Sequence, residues 1–272
     1  MSFRLKIHFN LEKFRAVKIL KKYIYVTKFA DNELLQCGHS DRVWTMWLQD
    51  EVPEICQMCL NSIKKYYPNA IVITEKNLNE YVEIPSGILE KYKSGKMLPA
   101  HFSDLVRMCL LDKYGGTWID ATCYLTQPIP SYIRKSPFFI LKAFGGNALS
   151  NYFIHSDSNN YLTKCIKYFL LEYWKHENKA CYYFMFHLFI LKVLIKKNLK
   201  AKELYNHIPI GLNWNTKIFY EILFNDFDKD IYDFMCQTSY LHKFTYKNIQ
   251  NRDNNPNSFY RYLLKEDTKV SS

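Results

Sequence analysis

Residues 101–122, HFSDLVRMCLLDKYGGTWIDAT, restrict the fold of this chain more than any other stretch. Leu105, Val106, Met108, Cys109, Leu110 and Leu111 run almost all the way round a helix, so the helix must be buried. Asp104 and Arg107 sit one turn apart on one face of it. On a surface such a pair contributes about 0.3–0.5 kcal/mol; inside a protein its desolvation demands a reason. Ser103 is a good N-cap, which would place Asp104 in the first turn, favourably to the helix dipole. Gly115-Gly116 then ends the helix, because glycine takes left-handed cap geometry without strain. TWIDAT follows as a strand, and Asp120 stands where it ends. Carboxyl ends of strands are where open α/β sheets bind ligands. Any one of these three residues alone reads as structure; together they read as a small polar site.

The flanks supply the rest of a layered fold. Val43–Leu48 is a β-rich apolar run, EICQMCLNSIKKYYP reads as a helix and AIVIT (70–74) as a buried strand. GILEKYKSGK (87–96) reads as a helix, PFFILKAF (137–144) as a strand, and residues 160–206 as helix-rich. Strands alternating with helices at these spacings predict an α/β fold with a mostly parallel central sheet. Residues 1–30 carry eight Lys or Arg against Glu12. Phe3, Ile7, Leu11, Phe14, Val17, Leu20 and Ile24 recur there at three- and four-residue steps. Residues 1–40 are therefore expected to form a basic amphipathic appendage, 41–250 the main α/β domain and 251–272 a polar tail. The appendage could lie on an anionic membrane or pack on the body.

Several classes fall away. Eight cysteines include one close pair, Cys56 and Cys59, with no second pair at zinc-finger spacing, so they read as helical core thiols. No secretory signal is visible, and the longest apolar stretch, 182–195, is short for a bilayer and broken by His187 and Lys192. The expected location is the cytoplasm, with the inner face of the plasma membrane as the surface a basic helix would meet. A net charge of +11 suits a polyanionic partner. A nucleic-acid-binding module would share that charge, but no zinc, helix-turn-helix or RNP-like motif supports one, and no nucleic-acid partner is expected. His187 in FMFHLFI and the aromatic residues around Trp174 read as packing.

The string SDLVRMCLLDKYGGTWIDAT resembles the S-D-x-x-R…G-G-x-[WY]-x-D-x-D signature of DXD glycosyltransferases with a GT-A (Rossmann-like) fold, akin to glycosyltransferase family 32. VWTMWLQ (43–49), LSNYFI (149–154) and HKFTYK (242–247) follow the order of the capsular polysaccharide synthesis protein family. That resemblance implies transfer of a sugar from a nucleotide-diphosphate donor, a UDP-sugar first among them, to a glycan or lipid-linked acceptor. It implies a base site at Val43 and Trp44, donor-sugar contacts from Asp104 and Arg107, and Asp120 as the first Asp of DXD. Asn151 would lie on the acceptor side, and His242 and Lys243 would close over the diphosphate. Asp104, Arg107 and Asp120 are the implied catalytic set. Asp120, Thr122 and His242 are the side chains offered to a divalent Mn²⁺ or Mg²⁺. Thr122 replaces the second Asp of DXD, and a neutral hydroxyl substitutes poorly for a carboxylate on a hard cation. The charge of the leaving diphosphate would then fall to a weaker metal site or to cations such as Lys243 and Arg107. Thr122 also motivates a second reading, an inactive sugar-nucleotide-binding or scaffold member.

Overall fold

The computed structural model describes residues 3–33, 36–143, 148–212 and 215–271. In chain order the elements that place the site are α1 (Phe3–Leu20), β1 (Val43–Met46), α2 (Glu54–Tyr66), β2 (Ile71–Ile73), α3 (Pro99–Tyr114) and β3 (Gly116–Ile119). They continue with β4 (Cys123–Leu125), β5 (Phe138–Lys142), β6 (Leu149–Ser156), α4 (Tyr161–His176), β7 (Leu241–Lys243) and α5 (Phe259–Ser271). The central sheet has the order β2-β1-β3-β6-β5. β1 runs parallel to β2 and β3, while β6 runs antiparallel to both β3 and β5. Four of the five strands therefore share one direction, as the alternating sequence pattern predicts, and helices flank the sheet.

The double glycine does more than stop a helix. Gly115 and Gly116 have φ of 66° and 103°, a region closed to most side chains. A Cβ on Gly116 would stand 2.3 Å from the Arg42 carbonyl oxygen, and one on Gly115 would stand 2.7 Å from the Ser158 nitrogen. Close approach lets Thr117 N–H donate to the Arg42 carbonyl at 2.8 Å, which starts the β3–β1 pairing. Trp44 locks the same corner by donating its Nε1–H to the Gly115 carbonyl at 2.9 Å. Helix α3, most of it buried, is thereby joined tightly to the sheet.

Two expectations change, and one open alternative is decided. Helix α3 begins at Pro99, not at Ser103: proline suits the first helical position because its missing N–H would be unpaired there anyway. Ser103 is thus interior, and its Oγ accepts from Arg107 Nη2 at 2.9 Å instead of capping. The basic N-terminal segment packs on the body through Ala16, Leu20, Tyr23, Val26 and Ala30, all buried in the main core. Leu11 and Phe14 remain exposed, and the side chains of Phe3 and Ile7 lie outside those described. Residues 251–272, expected to be a polar tail, hold α5, whose Phe259, Tyr260 and Leu263 are buried with Ile55, Cys56 and Cys59 of α2. Burial raises the Cys56 thiol to about 12, as befits a core cysteine.

Candidate active site

Asp104 and Arg107 are both buried on α3, with Arg107 Nη1 3.2 Å from Asp104 Oδ1. Asp120 follows β3 directly, and Arg107 Nη2 donates to its Oδ1 at 3.1 Å. One guanidinium thus clamps two carboxylates from two elements. Arg107 also donates to the Asn151 carbonyl, and Asn151 Nδ2 donates to Asp104 Oδ1 at 2.6 Å. The Trp118 indole N–H reaches Asp120 Oδ1 at 2.8 Å, while its ring lies under the guanidinium at 5.0 Å. From the other side Lys243 Nζ donates to Asp120 Oδ2 at 3.1 Å and to the Thr122 hydroxyl.

The electrostatics split the two acids. Burial and the neighbouring Asp120 raise the Asp104 carboxyl to about 7, against the pull of Arg107 and Asn151. Burial works on Asp120 too, but Lys243 and Arg107 outweigh it and hold that carboxyl below its ordinary value. Burial would lower the Lys243 ammonium, yet the Asp120 carboxylate raises it on balance. Asp120 and Lys243 are therefore a charged pair, and Asp104 stands close to its titration point at neutral pH. Asp104 Oδ2 is 4.0 Å from His101 Nδ1, too far for a hydrogen bond. Burial drives that histidine down to about 4, so it is neutral.

These groups floor a cleft of about 440 Å³ whose walls include Trp47, His187, Lys217 and Tyr246. Its size suits a small-molecule site. Of the sequence-expected residues, Asp104, Arg107, Asp120, Thr122, Asn151 and Lys243 all line it. Val43, Trp44 and His242 do not. Val43 and Trp44 sit inside the sheet, paired across from Thr117 and Trp118, with 3% and 1% exposure. No base can stack on an indole so enclosed. Trp47, just past the carboxyl end of β1, is the tryptophan of this segment that lines the cleft. His187, expected in the core, also lines it, with burial pushing its ring down to about 4. His242 points the other way because alternate residues of a strand face opposite sides. Lys243 faces the cleft, so the adjacent His242 packs edge-on to Phe219 at 5.0 Å, fully buried and driven to about 4 by that burial.

The trio Asp120, Thr122 and His242 does not fit a divalent cation. A hard ion needs oxygen lone pairs that are free to face it. Asp120 Oδ1 already accepts from Trp118 and Arg107, and its Oδ2 accepts from Lys243. The Thr122 oxygen accepts from the same ammonium, and His242 is elsewhere. Among the described residues one group has ligand atoms close enough to hold an ion: His39, His155 and Asp157. It lies at the far end of the β3–β6 pair, where Thr117 Oγ1 meets His155 Nδ1 at 2.8 Å.

The described residues contain no helix long and apolar enough to cross a membrane. No curated protein matches the sequence. A solved structure of a protein named PaToxG Glycosyltransferase is similar at 13% identity, covering 74% of this chain and 86% of that one, with a TM-score of 0.43. Membership rests instead on the capsular polysaccharide synthesis protein family, which matches residues 3–263. With that match running through the clamped acids and the cleft they floor, the chain belongs to the capsular polysaccharide synthesis protein family.

Proposed function

We propose that the cleft binds a nucleotide-diphosphate sugar and transfers the sugar to a hydroxyl of a glycan or lipid-linked acceptor. The observation that carries this reading is the convergence of Asp104, Arg107, Asp120 and Lys243 on one 440 Å³ cleft. Asp104 Oδ2 is the acceptor best placed for a donor-sugar hydroxyl, since Oδ1 is already engaged by Arg107 and Asn151. Arg107 spends its Nη groups on Asp104, Asp120, Ser103 and Asn151. Its part is to hold both carboxylates in register, which fixes how the anomeric carbon is presented. Trp47 and Tyr246, 5.4 Å apart and edge to face, offer an aromatic wall for the base. Asn151 lines the cleft beside Asp104 and would face the acceptor.

A donor that binds the folded state raises the melting temperature. UDP-sugars, GDP-sugars and a single-stranded oligonucleotide tested side by side separate the readings. A nucleotide sugar is expected to stabilise the protein and Asp104→Asn to lower its turnover sharply. Salt-steep oligonucleotide binding with no response to any nucleotide would sink the proposal. For the acceptor side, exposed Leu11 and Phe14 on α1 fit a peripheral contact with an anionic membrane. Leu11→Glu with Phe14→Glu should then reduce sedimentation with anionic vesicles; unchanged sedimentation refutes the contact.

A further inference from the structure

We propose that Lys243 stands in the position a divalent metal would take in this cleft, so that the protein's own ammonium neutralises the donor diphosphate and transfer proceeds without added metal. The proposal rests on the reading of the cleft as a nucleotide-sugar site. Its ground is the pairing of Asp120 and Thr122, the two outer positions of the DXD-like triplet, with one cation. Lys243 Nζ donates to Asp120 Oδ2 at 3.1 Å and to the Thr122 hydroxyl. A metal entering between those two oxygens would have to displace the ammonium, and a dication beside an ammonium is repelled.

The backbone makes this arrangement a built one. β7 pairs antiparallel with β4, with Cys123 opposite Lys243 and Leu125 opposite Leu241. Phe244 N–H donates to the Thr122 carbonyl at 2.8 Å, which fixes the strand carrying the lysine to the loop carrying the triplet. The ammonium lies 5.3 Å above the Tyr152 ring, a second favourable contact for a cation. Asp120 keeps it charged, so it is available as a permanent counter-charge. Its side chain remains 21% exposed, on the cleft side. The substitution of Thr122 for a carboxylate is then coherent: with an internal monocation in place, a second full negative charge would over-compensate it.

In the transfer step the C1–O bond to the β-phosphate breaks and its electron pair stays on the departing phosphate oxygen. The acceptor oxygen forms the new bond to C1 and releases its proton to solvent. Lys243 keeps its three protons throughout and hydrogen-bonds the oxygen on which charge accumulates, which is where a fixed cation lowers the barrier.

The test is binding of UDP, GDP and ADP to the full chain by calorimetry, with EDTA or with Mn²⁺, alongside Mn²⁺ binding by electron paramagnetic resonance. One diphosphate is expected to bind equally in EDTA and in Mn²⁺, and adding it should take up no Mn²⁺ beyond what the protein binds without it. Lys243→Met should weaken that diphosphate at least tenfold without changing affinity for the bare nucleoside, and Lys243→Arg should restore it. Lys243→Ala combined with Thr122→Asp should acquire Mn²⁺ binding and make diphosphate binding depend on it. Diphosphate binding by the wild type that needs Mn²⁺ would overturn the proposal and leave the nucleotide-sugar reading standing. No binding of any diphosphate in either condition would overturn both.

Discussion

Helix α3 carries two buried charge clusters at its two ends, and they behave differently. Near its start Asp104 and Arg107 open onto the cleft. Near its end Asp112 is 3.3 Å from Lys164, and Lys167 donates to its other oxygen. Lys164 continues to Glu33 at 2.9 Å, and the Tyr168 hydroxyl also donates to Glu33. Asp104 and Asp112 are equally buried, at 6% and 5% exposure. In the Asp112 cluster the charges balance. Burial works against Glu33 and Lys164, but their partners prevail, lowering the acid and raising the base. At the cleft burial prevails on Asp104, which is raised to about 7. Burial of charge alone does not mark a site; an imperfectly compensated acid beside open space does.

The sharpest break between the clusters is Lys164→Met. It leaves a buried acid with less compensation and is expected to cost about 3–5 kcal/mol of stability. Sugar transfer per folded molecule should stay within about twofold, because the residue touches nothing in the cleft. Urea denaturation and specific activity check both halves; activity lost at full folding would merge the two clusters into one.

Asp104→Asn should do the reverse. Loss of a group that meets the transition state lowers kcat/KM by about 10²–10³-fold. Stability should hold or rise at pH 8, since a buried charge is removed. A variant that unfolds while still binding donor would make the cleft cluster structural.

A smaller effect tests the same acid through pH. Asp104 has a folded value above its ordinary 3.8, so the folded state keeps the proton longer than the unfolded chain does. That contribution is complete below 3.8 and is lost as pH rises through about 7. Between pH 5 and pH 8 the wild type should lose about 2–3 kcal/mol relative to Asp104→Asn. Parallel urea midpoints across that range would show that its partners compensate the acid fully.

The smallest expected change separates the two tryptophans. Trp47→Ala should weaken nucleotide binding by about 1–3 kcal/mol, the value of one aromatic–base stack. Trp44→Phe should leave nucleotide affinity unchanged and cost stability instead. The opposite pattern would restore Trp44 as the base platform.

Much of this was legible in the chain because the relevant forces are local. An all-round apolar helix with one acid and one base, a double glycine and a following Asp place three site residues whatever lies elsewhere. Lys243 and Asn151 could be added only through the family resemblance, since they come from distant strands. Trp44 and Trp47 look alike in VWTMWLQ, and choosing Trp47 required knowing where β1 ends. Period-2 alternation was the available signal: Lys243 in the cleft forces His242 out of it. His187 had no such signal, being surrounded by apolar residues that pack on one side only.

What the sequence determined by itself is the fold class, the family and the acid–base–acid core, because periodicity, glycine geometry and motif spacing act over a few residues. What the tertiary structure decided is which side chains share space. A lysine some 120 positions downstream meets Asp120 and Thr122, and Trp44 and His242 turn inward. The reason is that strand register and sheet order, set by packing of the whole chain, determine which face each side chain takes.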